Sequence, residues 1–121
     1  VILCPSDVHP NDEKSCYSKA KNLSATIPNS IYLNQYSNQA NPNGYFETLG
    51  PELWEQTNGK ITHIIAAAGT GGTLVGISRF LKNKNSQIQV LAVEPYGSLL
   101  KKYHETGKID EDESYPYMVE G

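Results

Sequence analysis

The feature that most limits the fold of this chain is a glycine-rich stretch, "AAAGTGGTLVG" at residues 66–76. The apolar run that leads into it, "ITHIIAAA" at 61–68, loses its polar alternation in its second half, a pattern that predicts a strand buried on both faces. Beyond the glycines, apolar residues recur at helical spacing and predict a helix over about 73–84. A buried strand, a glycine loop and a helix in this order indicate a parallel α/β unit.

Strand-like and helix-like segments also alternate along the rest of the chain. We expect Asn11 to cap the first helix and Pro28 to stop it, and we expect Gly50 and Pro51 to kink or split the second. Alternation of this kind favours right-handed crossovers and a parallel sheet, so the predicted fold class is α/β with a mostly parallel sheet flanked by helices. The predicted strands are "VILC" at 1–4, "SIYLNQY" at 30–36 and "IQVLAVE" at 88–94, and the predicted helices lie at 12–26, 43–57 and 98–107.

Charge and hydropathy exclude two classes of partner. The formal net charge is −3 and Arg79 is the single arginine, whereas a general nucleic-acid surface needs clustered Lys and Arg. No apolar run approaches the roughly 20 residues that span a bilayer, and the N-terminus lacks the basic-then-apolar pattern of a signal peptide. We therefore expect a cytoplasmic protein with neither a nucleic-acid nor a membrane partner.

The residue types that usually bind metals are scattered. Cys4 and Cys16 have no CxxC spacing, which favours structural thiols in a reducing compartment. The three histidines are widely spaced, and the acidic run at 110–113 fits a solvated loop, because consecutive carboxylates repel one another. We predict no metal site.

The glycine loop itself predicts an anion site. A loop between a parallel strand and a helix lies at the carboxyl edge of the sheet, where open α/β folds bind ligands. The helix start offers free N–H groups and the positive end of a dipole, and glycines let a phosphate approach without a Cβ in the way. Thr70 and Thr73 add hydroxyl donors. The alternative is a tight turn whose glycines serve only helix–strand packing.

The spacing of the glycines does not define which phosphate-containing ligand the loop binds. In the six residues from Gly69 the dinucleotide fingerprint would need a sixth-position glycine, and Leu74 stands there instead. Glu94, at the end of the next strand, does imitate the acidic ribose ligand of that fingerprint. A Rossmann-like nucleotide-binding module stays open on these grounds, whereas the triphosphate loop fails because no Gly-Lys-Ser/Thr follows.

Four segments in order resemble the fold type II pyridoxal-phosphate enzymes, within them the cysteine synthase and cystathionine beta-synthase group. The resemblance implies a three-layer architecture, with residues 1–30 ending the smaller domain and residues 31–121 forming part of the larger, phosphate-binding domain. It also implies pyridoxal 5'-phosphate as the cofactor. The segments are "NQYSNQANP" at 34–42, "GPELWEQTNGKITHIIAAAGTGGTLVGISRFLK" at 50–82, "AVEPYGSLL" at 92–100 and "YPYMVEG" at 115–121.

The resemblance also assigns residues to the site. Gln35 matches a glutamine near the carboxylate of the amino-acid substrate, and Tyr36 matches the aromatic residue beside it. Glu120 and Gly121 match the start of the loop that borders the substrate entrance. The positions that match the loop holding the cofactor phosphate are Gly69, Thr70, Gly71, Gly72 and Thr73.

The family's Schiff-base lysine falls upstream of this chain in the resemblance, and none of the nine lysines here has its sequence context. The chain starts at Val1 inside an apolar run and stops at Gly121, so we expect a middle segment that is inactive alone. The resemblance implies that the parent enzyme is a homodimer or a larger oligomer. It also implies that the reaction of the parent enzyme is β-replacement. A serine- or cysteine-like amino acid loses its β-substituent and a thiol such as sulfide or homocysteine replaces it. A non-catalytic fragment or regulatory relative remains an alternative.

Overall fold

The structure is a computed structural model that describes residues 1–109. These residues belong to two compact units, one formed by Val1–Asn38 and a second that begins at Gln39. The predicted domain boundary between residues 30 and 31 stays a prediction. None of the described helices is both long enough and apolar enough to cross a membrane.

The first unit contains one helix, α1, at Cys16–Thr26. It begins later than predicted because Ser15, and not Asn11, is its N-cap. The buried Ser15 hydroxyl accepts a hydrogen bond from the backbone N–H of Ser18 at 3.1 Å and donates one to the carbonyl of Pro10 at 2.6 Å. Serine at this position satisfies an N–H group that the helix itself leaves unpaired. The helix ends before Pro28, as predicted.

Two of the predicted strands are wrong. Residues 1–4 have no regular secondary structure, and residues 30–36 run into a turn rather than a strand. Asparagines cause the second difference: Asn34 has a positive φ of 45°, and the Asn38 side chain donates to the carbonyl of Leu33 at 2.8 Å. Asparagine side chains that bond the local backbone favour turns over a strand ladder.

The second unit starts with two short helices, α2 at Ala40–Glu47 and α3 at Leu49–Gln56. The predicted interruption is present, but it lies at Thr48 rather than at Gly50 and Pro51. Pro51 occupies the first turn of α3, where a missing N–H breaks no helical bond, so it begins a helix and does not kink one.

Two parallel strands and a connecting helix follow. Strand β1 at His63–Ala67 leads into α4 at Gly72–Lys84, which returns the chain to β2 at Gln89–Val93. The strands pair in register from His63↔Gln89 to Ala67↔Val93. The last described helix, α5 at Leu100–Thr106, ends at Gly107 with a left-handed φ of 68°. The predicted α/β class with a parallel sheet is confirmed.

The core lies on one face of the sheet only. Ile77 and Leu81 of α4 are buried with Ile88, and Ile64 of β1 packs against them. Since strand side chains alternate, Ile65 faces the other way, and it is 66% exposed. The prediction of a strand buried on both faces is therefore wrong for the described residues, because hydrophobicity alone does not show which neighbour covers a face. The third layer stays a prediction.

Candidate phosphate-binding site

The glycine loop connects the carboxyl end of β1 to the N-terminus of α4, as the sequence predicts. Gly71 is the N-cap residue of α4, with φ 81° and ψ −10°, a left-handed conformation that glycine adopts without strain. Its carbonyl accepts the first helical hydrogen bond, from the N–H of Val75 at 2.9 Å. The first-turn N–H groups of α4 lack helical partners, and the positive end of the dipole lies at this loop.

Thr70 is held inside the loop by two hydrogen bonds. Its Oγ1 accepts one from Asn41 Nδ2 at 2.9 Å and one from the N–H of Gly72 at 3.3 Å. A threonine hydroxyl has two acceptor lone pairs and one proton, so both lone pairs are engaged and the proton remains to be donated. No acceptor for that proton is found among residues 1–109. The hydroxyl is thus a donor suited to an anionic oxygen.

Asn41 is a residue that sequence reasoning missed. It lies on α2, 29 positions before Thr70, and the packing of α2 against α4 brings the two together. It stands within "NQYSNQANP", one of the segments that carry the family resemblance, but nothing in the spacing of the sequence connects it with the loop.

The glycines of this region have two different roles. A Cβ built on Gly69 or Gly71 meets nothing within 4 Å, so these two leave open space around the loop. A Cβ on Gly72 would overlap the amide of Asn41, and a Cβ on Gly76 would lie 2.7 Å from Cβ of Tyr45. Gly69 and Gly71 thus leave the room that a ligand would need, whereas Gly72 and Gly76 allow close packing of α2 against α4.

A cavity of about 510 Å³ opens beside the loop in the second unit. Its polar groups include Lys101 and His104 on α5, and its apolar groups come from α4 and β2. Glycine-loop residues form its edge. The lining consists of Ala68, Gly69, Thr70, Gly71, Leu74, Val75, Val90, Ala92, Glu94, Leu100, Lys101 and His104.

Glu94, the candidate ribose ligand of the nucleotide alternative, is engaged in another interaction. Its Oε2 accepts a hydrogen bond from Ser98 Oγ at 2.7 Å, and its Oε1 accepts one from the backbone N–H of Lys101 at 3.1 Å. The carboxylate therefore satisfies an N–H group in the first turn of α5. The hydrogen bonds to Ser98 and Lys101 account for an acidic residue at position 94 without a nucleotide ligand.

Gln35 and Tyr36 lie next to each other in the turn of the first unit that follows Asn34. The ring of Tyr36 is 58% exposed, and its hydroxyl oxygen accepts a hydrogen bond from the Tyr17 hydroxyl at 3.2 Å. The hydrogen bond to Tyr36 and, to a smaller extent, desolvation together raise the pKa of Tyr17 to about 12. The predicted residues Glu120 and Gly121 lie outside the described residues.

The described part of the chain contains no cluster of three or more His, Cys, Asp or Glu side chains placed to hold a metal ion. Cys4 and Cys16 are both free thiols.

Comparison with known proteins decides the family. Residues 1–121 match the family described as "Pyridoxal-phosphate dependent enzyme". The chain belongs to this family. Cystathionine beta-synthase of Apis mellifera is 41% identical over 100 residues, which cover 83% of this chain and 20% of the relative. The O-acetylserine dependent cystathionine beta-synthase of Bacillus subtilis (strain 168) is 46% identical over 82 residues, covering 68% of this chain and 27% of the relative.

A solved structure supports the same assignment. The crystal structure of O-acetylserine dependent cystathionine beta-synthase from Helicobacter pylori superposes with a TM-score of 0.66 at 38% identity. The match covers 69% of this chain and 28% of that one. The chain thus spans about a fifth to a little over a quarter of the length of these family members.

The family's cofactor, pyridoxal phosphate, has chemistry that suits the loop. A phosphate group needs several hydrogen-bond donors and room for its oxygens. Thr70 offers a hydroxyl proton, the start of α4 offers N–H groups, and Gly69 leaves open space. The residues present therefore fit the phosphate of this cofactor.

Proposed function

We propose that this chain is the phosphate-binding segment of a pyridoxal-phosphate-dependent β-replacement enzyme that acts on serine- or cysteine-like amino acids. The observation that carries the proposal is the hydroxyl of Thr70, whose lone pairs are engaged and whose proton is left to donate, at the N-terminus of α4. The names of the relatives, cystathionine beta-synthase among them, support the reaction class.

The loop's role is to bind the phosphate and so fix the position of the cofactor. The backbone N–H groups at the start of α4 and the hydroxyls of Thr70 and Thr73 donate to phosphate oxygens. Asn41 holds Thr70 in place through its hydrogen bond to the threonine hydroxyl. A cofactor fixed at one end presents its reactive end in a constant orientation, which is how positioning contributes to rate.

The substrate wall is the second part of the proposal. Gln35 donates from its carboxamide to the carboxylate of the amino-acid substrate, and Tyr36 borders the same substrate. Glu120 and Gly121 begin the loop at the substrate entrance. When bound, the cofactor supplies an electron sink for the charge left on the substrate when its α-proton is removed. The protein's part is to orient the amino acid so that this proton and the β-substituent can leave.

The 121-residue segment alone is proposed to be inactive, because none of its lysines stands in the context of a Schiff-base lysine. Borohydride reduction with pyridoxal phosphate tests this: we expect no single lysine to be labelled stoichiometrically. One specific labelled lysine, together with turnover, would contradict it. We further propose that the full-length protein works in the cytoplasm as a homodimer or larger oligomer, with neither nucleic acid nor membrane as partner.

The function is tested with the full-length protein and pyridoxal phosphate. L-serine, O-acetyl-L-serine and L-cysteine are each offered with sulfide or homocysteine, and the sulfur-containing product is measured. We expect at least one pair to give a β-replacement product. Cofactor binding with no product from any pair would contradict the reaction class, and binding of a nucleotide in place of pyridoxal phosphate would favour the Rossmann-like alternative.

A further inference from the structure

The backbone around Tyr36 is fixed by a hydrogen-bonded turn. The carbonyl of Asn34 accepts hydrogen bonds from the N–H groups of Ser37 at 3.1 Å and Asn38 at 2.9 Å. The Asn34 side chain also bonds Ser37 Oγ, and the Asn38 side chain donates to the carbonyl of Leu33. These bonds set where the Cα of Tyr36 lies, but they leave its ring free to turn about its own side-chain bonds.

The backbone at Tyr17 is also held by hydrogen bonds. It is in the first turn of α1, directly after the N-cap region in which the buried Ser15 binds both the N–H of Ser18 and the carbonyl of Pro10. The first turn of a helix frays readily unless its N–H groups have partners. The Ser15 cap therefore holds Tyr17 in a constant position.

Two contacts join the rings of Tyr17 and Tyr36. The hydroxyl of Tyr17 donates to the hydroxyl oxygen of Tyr36 at 3.2 Å. The ring centroids are 5.5 Å apart with an angle of 72° between the planes, an edge-to-face arrangement that aromatic pairs prefer. The Tyr36 ring, which is more than half exposed, is thus held by a hydrogen bond to its hydroxyl and by a contact between the two rings.

We propose that Tyr17 is a positioning residue that fixes the ring and hydroxyl of Tyr36 against the amino-acid substrate. This inference rests on the proposed function, which places Tyr36 at the substrate wall. Because Tyr17 supplies the proton of the bond between them, the hydroxyl proton of Tyr36 is left to donate to an oxygen of the substrate. Hydrogen bonds that run in one direction also strengthen one another.

The raised pKa of Tyr17, about 12, agrees with this direction of donation. A neutral hydroxyl that donates resists losing its proton, since the phenolate would have nothing to donate. The Tyr17 hydroxyl is then protonated over the working pH range of most enzymes, so it can donate to Tyr36 throughout that range.

Steady-state kinetics of the full-length holoenzyme test the inference through Tyr17→Phe, which removes the hydroxyl and keeps the ring. We expect KM for the amino acid to rise about two- to tenfold, the change that corresponds to one net hydrogen bond, with kcat within about twofold and cofactor content unchanged. Tyr32→Phe is the matched control: Tyr32 lines a cavity of the first unit together with Tyr17 and Tyr36, and no hydrogen bond of its hydroxyl is described within residues 1–109. It should leave both constants unchanged.

Tyr36→Phe separates the failure of this inference from the failure of the proposed function. If Tyr17 acts through Tyr36, then Tyr36→Phe raises KM and adding Tyr17→Phe to it has no further effect. A raised KM for Tyr36→Phe with a normal KM for Tyr17→Phe would overturn the role of Tyr17 and leave the substrate wall intact. A normal KM for both would overturn the placement of Tyr36 itself.

A spectroscopic measurement covers the case in which Tyr17→Phe does not fold. Phenolate absorbance is followed against pH in the wild type and in Tyr36→Phe. We expect the variant to lose one tyrosine and also to bring the pKa of Tyr17 down from about 12 toward its ordinary value. Loss of one tyrosine with the rest of the titration unchanged would show that the hydroxyls do not interact, and would overturn the inference.

Discussion

Asn41 on α2 donates a hydrogen bond of 2.9 Å from its Nδ2 to Oγ1 of Thr70 in the glycine loop, 29 positions along the chain. The bond links the loop to the packing of α2 on α4, so the geometry of the proposed phosphate site depends on a helix outside the strand–loop–helix unit. Asn41 and the N–H of Gly72 both donate to Oγ1 of Thr70, so its two lone pairs are engaged. The hydroxyl proton of Thr70 is therefore the part that can still form a hydrogen bond with a ligand.

Replacing Asn41 with Ala should weaken cofactor binding without removing it. The bond it makes to Thr70 is worth about 0.5–1.5 kcal/mol, so we expect affinity for pyridoxal phosphate to fall roughly two- to tenfold. Asn43→Ala is the control, because Asn43 lies on the same helix but accepts from Arg79 at 3.2 Å. Reconstitution of the apoenzyme, followed by cofactor absorbance, measures both. Equal losses in the two variants would contradict the role of Asn41.

Gly76→Ala should destabilise the fold. The new Cβ would lie 2.7 Å from Cβ of Tyr45 and 2.9 Å from the backbone nitrogen of Phe46, so α2 must move away from α4. Overpacking of this kind costs about 1–3 kcal/mol in the free energy of unfolding. Gly44→Ala, on α2 with nothing within 4 Å of its Cβ, should instead stabilise by about 0.5–1 kcal/mol. Urea denaturation compares them, and a Gly76→Ala variant as stable as the wild type would contradict the close packing.

The strand–loop–helix unit was predictable from sequence because its signals are local. The apolar run, the glycines and the spacing of Ile77 and Leu81 specify β1, the loop and α4 without knowledge of distant residues. The bond between Asn41 and Thr70 was not predictable, since it depends on how two helices pack. The strand predicted at 30–36 failed for a similar reason: a strand needs a paired neighbour, and Asn34 favours a turn there.

Gln35→Ala and Thr73→Val should have opposite effects in the full-length enzyme. Losing a hydrogen bond to a charged carboxylate costs about 1.5–3 kcal/mol. Gln35→Ala should therefore raise roughly tenfold or more the amino-acid concentration that gives half of the full change in the absorbance spectrum of the bound cofactor. Thr73→Val keeps its shape but deletes a hydroxyl donor, so it should reduce cofactor content and leave the helix N–H groups in place. If both variants lost cofactor equally and bound the amino acid normally once reloaded, Gln35 would not belong to the substrate wall.

Alkaline pH should reduce the stabilising effect of Tyr17. Its pKa is raised to about 12, chiefly by the hydrogen bond to Tyr36, whereas a tyrosine in the unfolded chain has a pKa near 10. A raised folded-state pKa means that the stabilisation is fully present below about pH 10 and is lost as pH rises toward 12. The difference in unfolding free energy between the wild type and Tyr17→Phe should therefore shrink across this window. A constant difference would show that Tyr17 is not coupled to Tyr36.

The central claim, that the glycine loop holds the cofactor phosphate, is tested most directly by Gly69→Ala in the full-length apoenzyme, with affinities measured for pyridoxal phosphate and for pyridoxal. The new methyl group meets no protein atom within 4 Å, so the fold should be unaffected, but it enters the space assigned to the phosphate. Crowding of about 1–3 kcal/mol predicts a loss of roughly five- to 150-fold in affinity for pyridoxal phosphate, with the affinity for pyridoxal nearly unchanged. Equal losses for the two compounds, or no loss for either, would contradict the claim.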